Sequence, residues 1–395
     1  MRKIRPFTLF LCVALIALAI VFPSVLKEGL YKNIYSIQEN RTEATYRGIL
    51  NLWHVVSWHT GQSSGISYLK QCIQKFEQRH AYLYIELEGL TKEEAVKRLN
   101  NGETPDIISF PTGFFRDAER LMPATVPGTV LSAYAKSAAY AETTYGCPYM
   151  AGGYLLIINE DLMMEAADYY PAAEGMAPDA LLSAARSAVA ADIKDPVFGA
   201  GFEANGTSQP MVAAAYHVYP SGEDTESPNL ALNLANRITI IYDQAFAAFT
   251  DDRCALLIGT QRELSDLAAL DMQGKSPVYT ACAFSRYTDM VQYVGIMQTD
   301  DPKKADIIQE FIRLLVSDGC QRRLEALNVF PVIVTEDMYP DTPVLKAAYK
   351  RLIADPAVPN TFTFAADYYD NDRLIKRVFD GDTDALHELF FRIGR

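Results

Sequence analysis

Between residues 49 and 110 the hydrophobic period of the chain switches repeatedly, and this constrains the fold more than any other feature. Residues 49–56 form an apolar run of strand character, followed by a turn-rich stretch at 57–64. Tyr68, Leu69, Cys72, Ile73 and Phe76 then recur at spacings of one, three and four, which marks the buried face of a helix with Ser64 as its N-cap. Residues 82–88 alternate, with Leu83, Ile85 and Leu87 on one side, as a half-buried strand does. Thr91 and Glu94 fit a capping box that opens a second helix, stopping at Asn100-Asn101-Gly102, and residues 106–110 form a third short strand. Strands alternating with helices in this order predict a parallel sheet covered by helices. Ligands in such folds bind at the carboxyl ends of the strands, here the loops 57–64 and 111–115.

The chain of 395 residues exceeds one ordinary domain, and 49% hydrophobic with 22% charged residues is the composition of a globular protein with a sizeable core. A net charge of -13 repels phosphate backbones and argues against a nucleic-acid partner. The N-terminus is distinct. Arg2, Lys3 and Arg5 precede an apolar stretch at 7–26, long enough for roughly 30 Å of helix. It reads as an export signal whose positive flank stays inside, placing everything after Lys27 outside the membrane. Segment 1–27 is either a signal anchor or, with a small-x-small site at Ala17-Leu18-Ala19, a cleaved signal peptide, and 28–47 reads as a linker. The expected location is thus the extracytoplasmic face of the membrane, or the secreted or periplasmic space after cleavage.

Five cysteines follow the linker: Cys72, Cys147, Cys254, Cys282 and Cys320. Their odd number and wide spacing show neither a paired framework nor a CxxC zinc pattern, and Cys72 and Cys320 lie on apolar helical faces. One bridge is compatible with the spacing, without a readable connectivity. Further along are Ala-rich helical stretches at 179–191 and 229–249, an apolar strand at 254–259 ending in glycine, an alternation at 293–297, and a helix opening at Pro302.

The chemistry of catalysis is hard to find. There is no GxSxG elbow, and His54 and His59 lack the i, i+4 spacing of a zinc protease. Ala151-Gly152-Gly153 lacks the Walker lysine and the GxGxxG spacing, and reads as a close crossing of backbone. A glycoside hydrolase needs two carboxylates facing across a cleft, and no pair among the acidic residues stands out. No catalytic residue, cofactor or metal site is therefore expected. The aromatic residues Trp53, Trp58, Phe110, Phe114 and Phe115 lie near two strand ends, and aromatic faces stack on sugar rings. Trp58 is the best candidate, since it sits in a polar loop.

Several stretches, taken in order, resemble the extracellular solute-binding proteins of ABC importers, family 1, the maltose and carbohydrate type. They are Leu52-Trp53-His54 with the following helix and Tyr84-Ile85-Glu86, then Pro105-Asp106-Ile107-Ile108, then Pro148-Tyr149-Met150 and the run 154–162. Cys254 to Thr260 and the helical region 305–327 ending at Val329-Phe330-Pro331 complete the set. The resemblance implies an α/β, two-lobe periplasmic-binding-protein-like fold (type II) that closes about a hinge, preceded by the N-terminal membrane helix or signal sequence. It implies lobe one at 48–155 and 277–318, and lobe two at 156–276 and 319–395. It places ligand contacts at Ser57, Trp58 and His59, at Ser109, Phe110 and Thr112, at Tyr149 and Gly152, and at Thr260 and Arg262. Maltose-type members often carry Trp where Arg262 stands. A cation there favours a polar or anionic ligand such as an acidic sugar, unless Arg262 pairs with a neighbouring carboxylate. The implied partners are a small-molecule solute, a carbohydrate by this resemblance, the permease subunits of an ABC importer, and the membrane through the N-terminal segment. The alternative is a membrane-tethered sensor reporting to a signalling kinase.

Overall fold

The computed structural model describes residues 46–56, 58–162, 199–206, 208–210, 212–213, 239–241 and 244–364, with isolated positions from 373 to 388. The N-terminal segment, Ser57, the helical stretch expected at 179–191 and most of that expected at 229–249 lie outside the described residues. Among the described residues, no helix is long and apolar enough to cross a membrane.

The regular strand–helix alternation appears as read. β1 (Gly48–Val56) leads to α1 (Gly65–Glu77), where Ser64 accepts a bond from the Ser67 backbone and Tyr68, Leu69, Cys72, Ile73 and Phe76 are buried. β2 (Leu83–Thr91) runs straight into α2 (Lys92–Asn100), and the Thr91–Glu94 capping box is formed in both directions. β3 (Ile107–Pro111) is buried at every residue. Short elements follow: β4 (Leu121–Met122), α3 (Ser132–Lys136), β5 (Ala139–Tyr140) and β6 (Thr143–Thr144). β7 (Cys147–Ala151) and β8 (Tyr154–Asn159) are separated by only two glycines.

Beyond these lie β9 (Gly199–Phe202), β10 (Thr239–Ile241), α4 (Ala245–Thr250), β11 (Leu256–Thr260), α5 (Gln261–Asp271) and β12 (Tyr279–Ala283). β13 (Val291–Met297), α6 (Pro302–Leu315), α7 (Asp318–Gln321) and α8 (Pro343–Ala354) complete the regular elements. Pro302 occupies the first turn of α6 and Asp301 caps it, because a proline at that position loses no intrahelical bond.

Two larger sheets carry these strands, and β5 pairs with β6 in a separate two-stranded ladder. The first has the order β2-β1-β3-β13-β4, with β7 also on β13, and the second β10-β9-β11-β8-β12. β1 is parallel to β2 and β3, whereas β13 runs antiparallel to β3, β4 and β7. In the second sheet β11 is parallel to β9 but antiparallel to β8, and β12 is antiparallel to β8.

The chain passes between the sheets at Gly152-Gly153 and again at residues 284–290. A third passage, at residues 328–331, joins α6, which packs on α1 and β13, to α8, which packs on β12. The passages lie against one another. Ala151 and Phe330 exchange both backbone bonds at 2.9 and 2.7 Å, and the Gly152 N–H donates to the Met290 carbonyl at 2.7 Å. The glycines are needed for this approach: a Cβ on Gly153 would sit 2.7 Å from the Phe330 ring, and one on Gly152 3.0 Å from Met290.

Candidate functional site

The carboxyl ends of β1 and β3 meet with His54 paired opposite Ser109. His54 Nδ1 lies 2.9 Å from Ser109 Oγ, which lies 2.8 Å from the Tyr149 hydroxyl. Gln292 Nε2 donates to the same Ser109 oxygen and to the Val55 carbonyl, each at 3.0 Å. All four side chains are buried, and burial pushes His54 down to about 4, so the imidazole is neutral at pH 7. This polar network is structural support rather than a proton relay, since burial also moves Tyr149 upward, out of the physiological range.

A cavity of about 70 Å³ opens beside it, lined by His54, Trp58, Ser64, Gly65, Met150 and Gln292 among others. A Cβ on Gly65 would lie 2.9 Å from His54 Nε2, so glycine at the start of α1 keeps that nitrogen uncovered. Trp58 is buried and its indole Nε1–H has no partner among the described residues. An unpaired buried donor at a cavity wall is the position a ligand oxygen or a water would take.

At the mouth of this cavity the two sheets are stitched together. The His59 N–H donates to Asn205 Oδ1 at 2.8 Å, and Asn205 Nδ2 donates back to the His59 carbonyl at 2.7 Å. The same Nδ2 reaches Thr260 Oγ1 at 3.1 Å. Gln261 Oε1 accepts from the Gly153 N–H at 3.1 Å, and Asn328 Nδ2 donates to Ser265 Oγ at 3.0 Å. Gly61 is wedged into this seam: a Cβ there would come within 2.7 Å of Asn328 Cβ and 2.8 Å of the Gln261 carbonyl.

Beside the crossings a second buried cluster forms. Tyr154 donates to Asp289 at 2.5 Å, and the Gln209 N–H reaches both the Tyr154 hydroxyl at 2.7 Å and Asp289 at 3.0 Å. Burial pushes the Asp289 carboxyl up to about 7, despite the bonds it accepts.

The residues expected to contact ligand fall into distinct settings. Trp58 lines the cavity, and His59 lines it while also holding the seam through its backbone; burial and the nearby Arg262 cation move the His59 imidazole below its ordinary pKa. Ser109 and Tyr149 belong to the buried network, and Gly152 to a crossing. Ser57 lies outside the described residues.

Three others have structural partners. Phe110 is fully buried against Phe115 at 5.0 Å and Tyr293 at 5.5 Å, because strand alternation turns it to the face opposite Ser109. Thr112 is buried and donates to the Val291 carbonyl at 3.4 Å, tying β3 to β13. Thr260 is the N-cap of α5: it accepts from the Arg262 N–H at 3.2 Å and donates to Glu263 at 2.7 Å. Arg262 has its Nε directed at Asp266, 3.4 Å away and one helical turn on, the carboxylate pairing weighed above.

Asn205, Gln261 and Gln292 were not singled out from sequence. Each is an amide whose partners come from a distant segment, so no local spacing announces it. Thr260 with Glu263, in contrast, fits the T-x-x-E pattern of a capping box, the local signal by which its capping role could have been found. Among the described residues there is no group of three or more His, Cys, Asp or Glu side chains placed to hold a metal ion.

No protein-family model and no curated relative matches the chain. Solved structures do match. The GacH receptor of Streptomyces glaucescens, determined unliganded and with acarbose, is 15% identical, with 88% of this chain and 98% of that chain covered at a TM-score of 0.58. The cyclic α-maltosyl-1,6-maltose binding protein of Arthrobacter globiformis is 12% identical over 88% and 98%, with a TM-score of 0.66. The ABC substrate-binding protein Lmo0181 of Listeria monocytogenes, in complex with cycloalternan, is 14% identical over the same shares, with a TM-score of 0.57. These proteins are described by what they bind, and the likeness extends over both sheets and their crossings. The chain therefore has the two-lobe α/β fold of the carbohydrate-type solute-binding proteins.

Proposed function

We propose that this protein is a non-catalytic, extracytoplasmic solute-binding subunit that captures a carbohydrate between its two sheets and delivers it to the permease of an ABC importer. The observation that carries the reading is the seam itself: the loops following β1 and β9 meet at one line beside the start of α5 and three crossings short enough to act as a hinge. The carbohydrate follows from the ligands named for the three similar structures. We assign residues 48–155 with a return segment ending at 318, expected to begin at 277, to one lobe and 156–276 with 319–395 to the other. The second crossing moves to 284–290, because β12 pairs with β8. The N-terminal segment serves as anchor or signal, keeping the protein near its permease.

The arrangement described is the closed one. A cavity of about 70 Å³ is well below the roughly 300 Å³ at which small-molecule pockets begin, so a sugar enters only when the His59–Asn205 bonds part. An acidic sugar remains the favoured class within this reading: Asp266 takes only the Nε of Arg262, leaving its terminal nitrogens to a carboxylate.

A thermal-shift screen of the purified protein against neutral sugars, acidic sugars, amino acids and polyamines tests both parts. Ligand at 100 times its Kd should add about 2.7 kcal/mol of stability. A shift with one sugar class supports capture, and its loss in Arg262→Ala supports the acidic class. A shift with amino acids or polyamines alone overturns the carbohydrate reading, and no shift with any class overturns capture.

A further inference from the structure

The geometry points to Cys72 and Cys320 as a disulfide pair that joins α1 to α7 when the protein meets a disulfide-donating oxidant. Both cysteines are buried free thiols, one on each element, and they lie close enough for each to perturb the other's ionisation.

The approach is built by the surrounding contacts. One turn before Cys72, the Tyr68 hydroxyl donates to the Leu315 carbonyl at 3.2 Å. Its neighbour Gln71 accepts from Arg323 at 2.9 Å. Near the next turn, Lys75 Nζ lies so close that a Cβ on Gly319 would be 3.2 Å from it. Residues 68, 71, 72 and 75 share one face of a helix, so this face is clamped against residues 315–323 on both sides of the two sulfurs. All five cysteines are free thiols in the structure, and Cys147, Cys254 and Cys282 belong to other parts of the two sheets.

The chemical environment divides the labour. The Cys72 thiol, Ser317 and the cations Lys75 and Arg323 hold the Cys320 thiol below its usual range, while the Cys72 thiol is raised. Cys320 is therefore the attacking thiolate. It displaces one thiol from a disulfide oxidant of the glutathione type and forms a mixed disulfide. Cys72 then gives up its proton and attacks the Cys320 sulfur, releasing the second thiol. Two protein thiols become one disulfide, and the oxidant takes up the two electrons and two protons. Because both sulfurs are buried, exchange proceeds while the 315–323 segment is open, during folding or in a local opening. The pairing itself is independent of the extracytoplasmic reading; only the supply of oxidant in the cell depends on it.

The test uses the full chain, reduced, purified and equilibrated with oxidised glutathione, then denatured in acid and alkylated. Of the six cysteines, four should label, and the intact mass should fall by two hydrogens. Proteolysis should yield one linked peptide pair containing Cys72 and Cys320. Cys72→Ser and Cys320→Ser should each lose the linkage. Six labelled thiols in the wild-type protein, or a bridge through any other cysteine, would overturn the proposal, and neither result depends on whether a sugar binds.

Discussion

Asp289 and His54 are both buried, and burial moves their pKa values in opposite senses. In an unfolded chain these groups titrate near 3.9 and 6.5. Asp289, held at about 7, keeps its proton in the folded state after the unfolded chain has lost it. Its contribution to stability is thus complete below about pH 4 and declines as pH rises to about 7. His54, held at about 4, refuses a proton that the unfolded chain accepts, so its contribution is complete above about pH 6.5 and declines on acidification. The two slopes oppose each other over the same window. Asp289→Asn should remove the first and expose the second, so that stability falls on acidification by up to about 1.4 kcal/mol per pH unit. Urea midpoints from about pH 4.5 to 7.5 check this, and a constant difference between variant and wild type would contradict it. Neither residue was legible as a titrating site. A lone Asp or His carries no local mark of burial, whereas the caps at Ser64 and Thr91 were readable because their partners lie within three residues.

Among the elements, α5 is tied to the seam through its first turn. Thr260 caps it, receives Asn205 and holds the buried Glu263, whose carboxyl is raised by burial. Thr260→Ala should cost about 1–2 kcal/mol, the upper part of the range for lost caps, and Thr260→Ser should recover most of it. Chemical denaturation of the three proteins decides the matter. At the first crossing, Gly153→Ala would press a methyl group against Phe330 and Leu352, with an expected loss of about 1–3 kcal/mol by overpacking. The elements of residues 48–111 were legible because each shows one clean period between turn signals. β9, β10 and β12 were not, since they are short and lie among segments with weaker alternation. The resemblance located the passage from β7 to β8, but not that β12 stays in the second sheet.

For the whole molecule, the proposed closure turns on the seam. Asn205 supplies two bonds across it, both to the His59 backbone and each worth roughly 0.5–1.5 kcal/mol net, while its bond to Thr260 stays within its own side. Asn205→Ala should therefore shift the balance toward an open form, and Gly61→Val should do so more strongly by forcing Gln261 and Asn328 away. Small-angle scattering of the ligand-free proteins should give a larger radius of gyration for both; an unchanged radius would show that the crossings, not the seam, hold the lobes together. The two-lobe plan was legible from the order of five short stretches. The seam was not, because it forms only after distant loops have been brought face to face.

β13 has a position in the first sheet that carries a further meaning. It is the shared partner of β3, β4 and β7, yet it is made from residues 291–297, long after those strands have left the ribosome. Until it arrives, β3 presents an unpaired apolar edge and the other two strands have no neighbour in that sheet. Pairings between segments so remote in sequence form slowly. The growing chain thus stays incompletely folded through most of its synthesis, with an apolar strand edge open to other chains until the last partner is made.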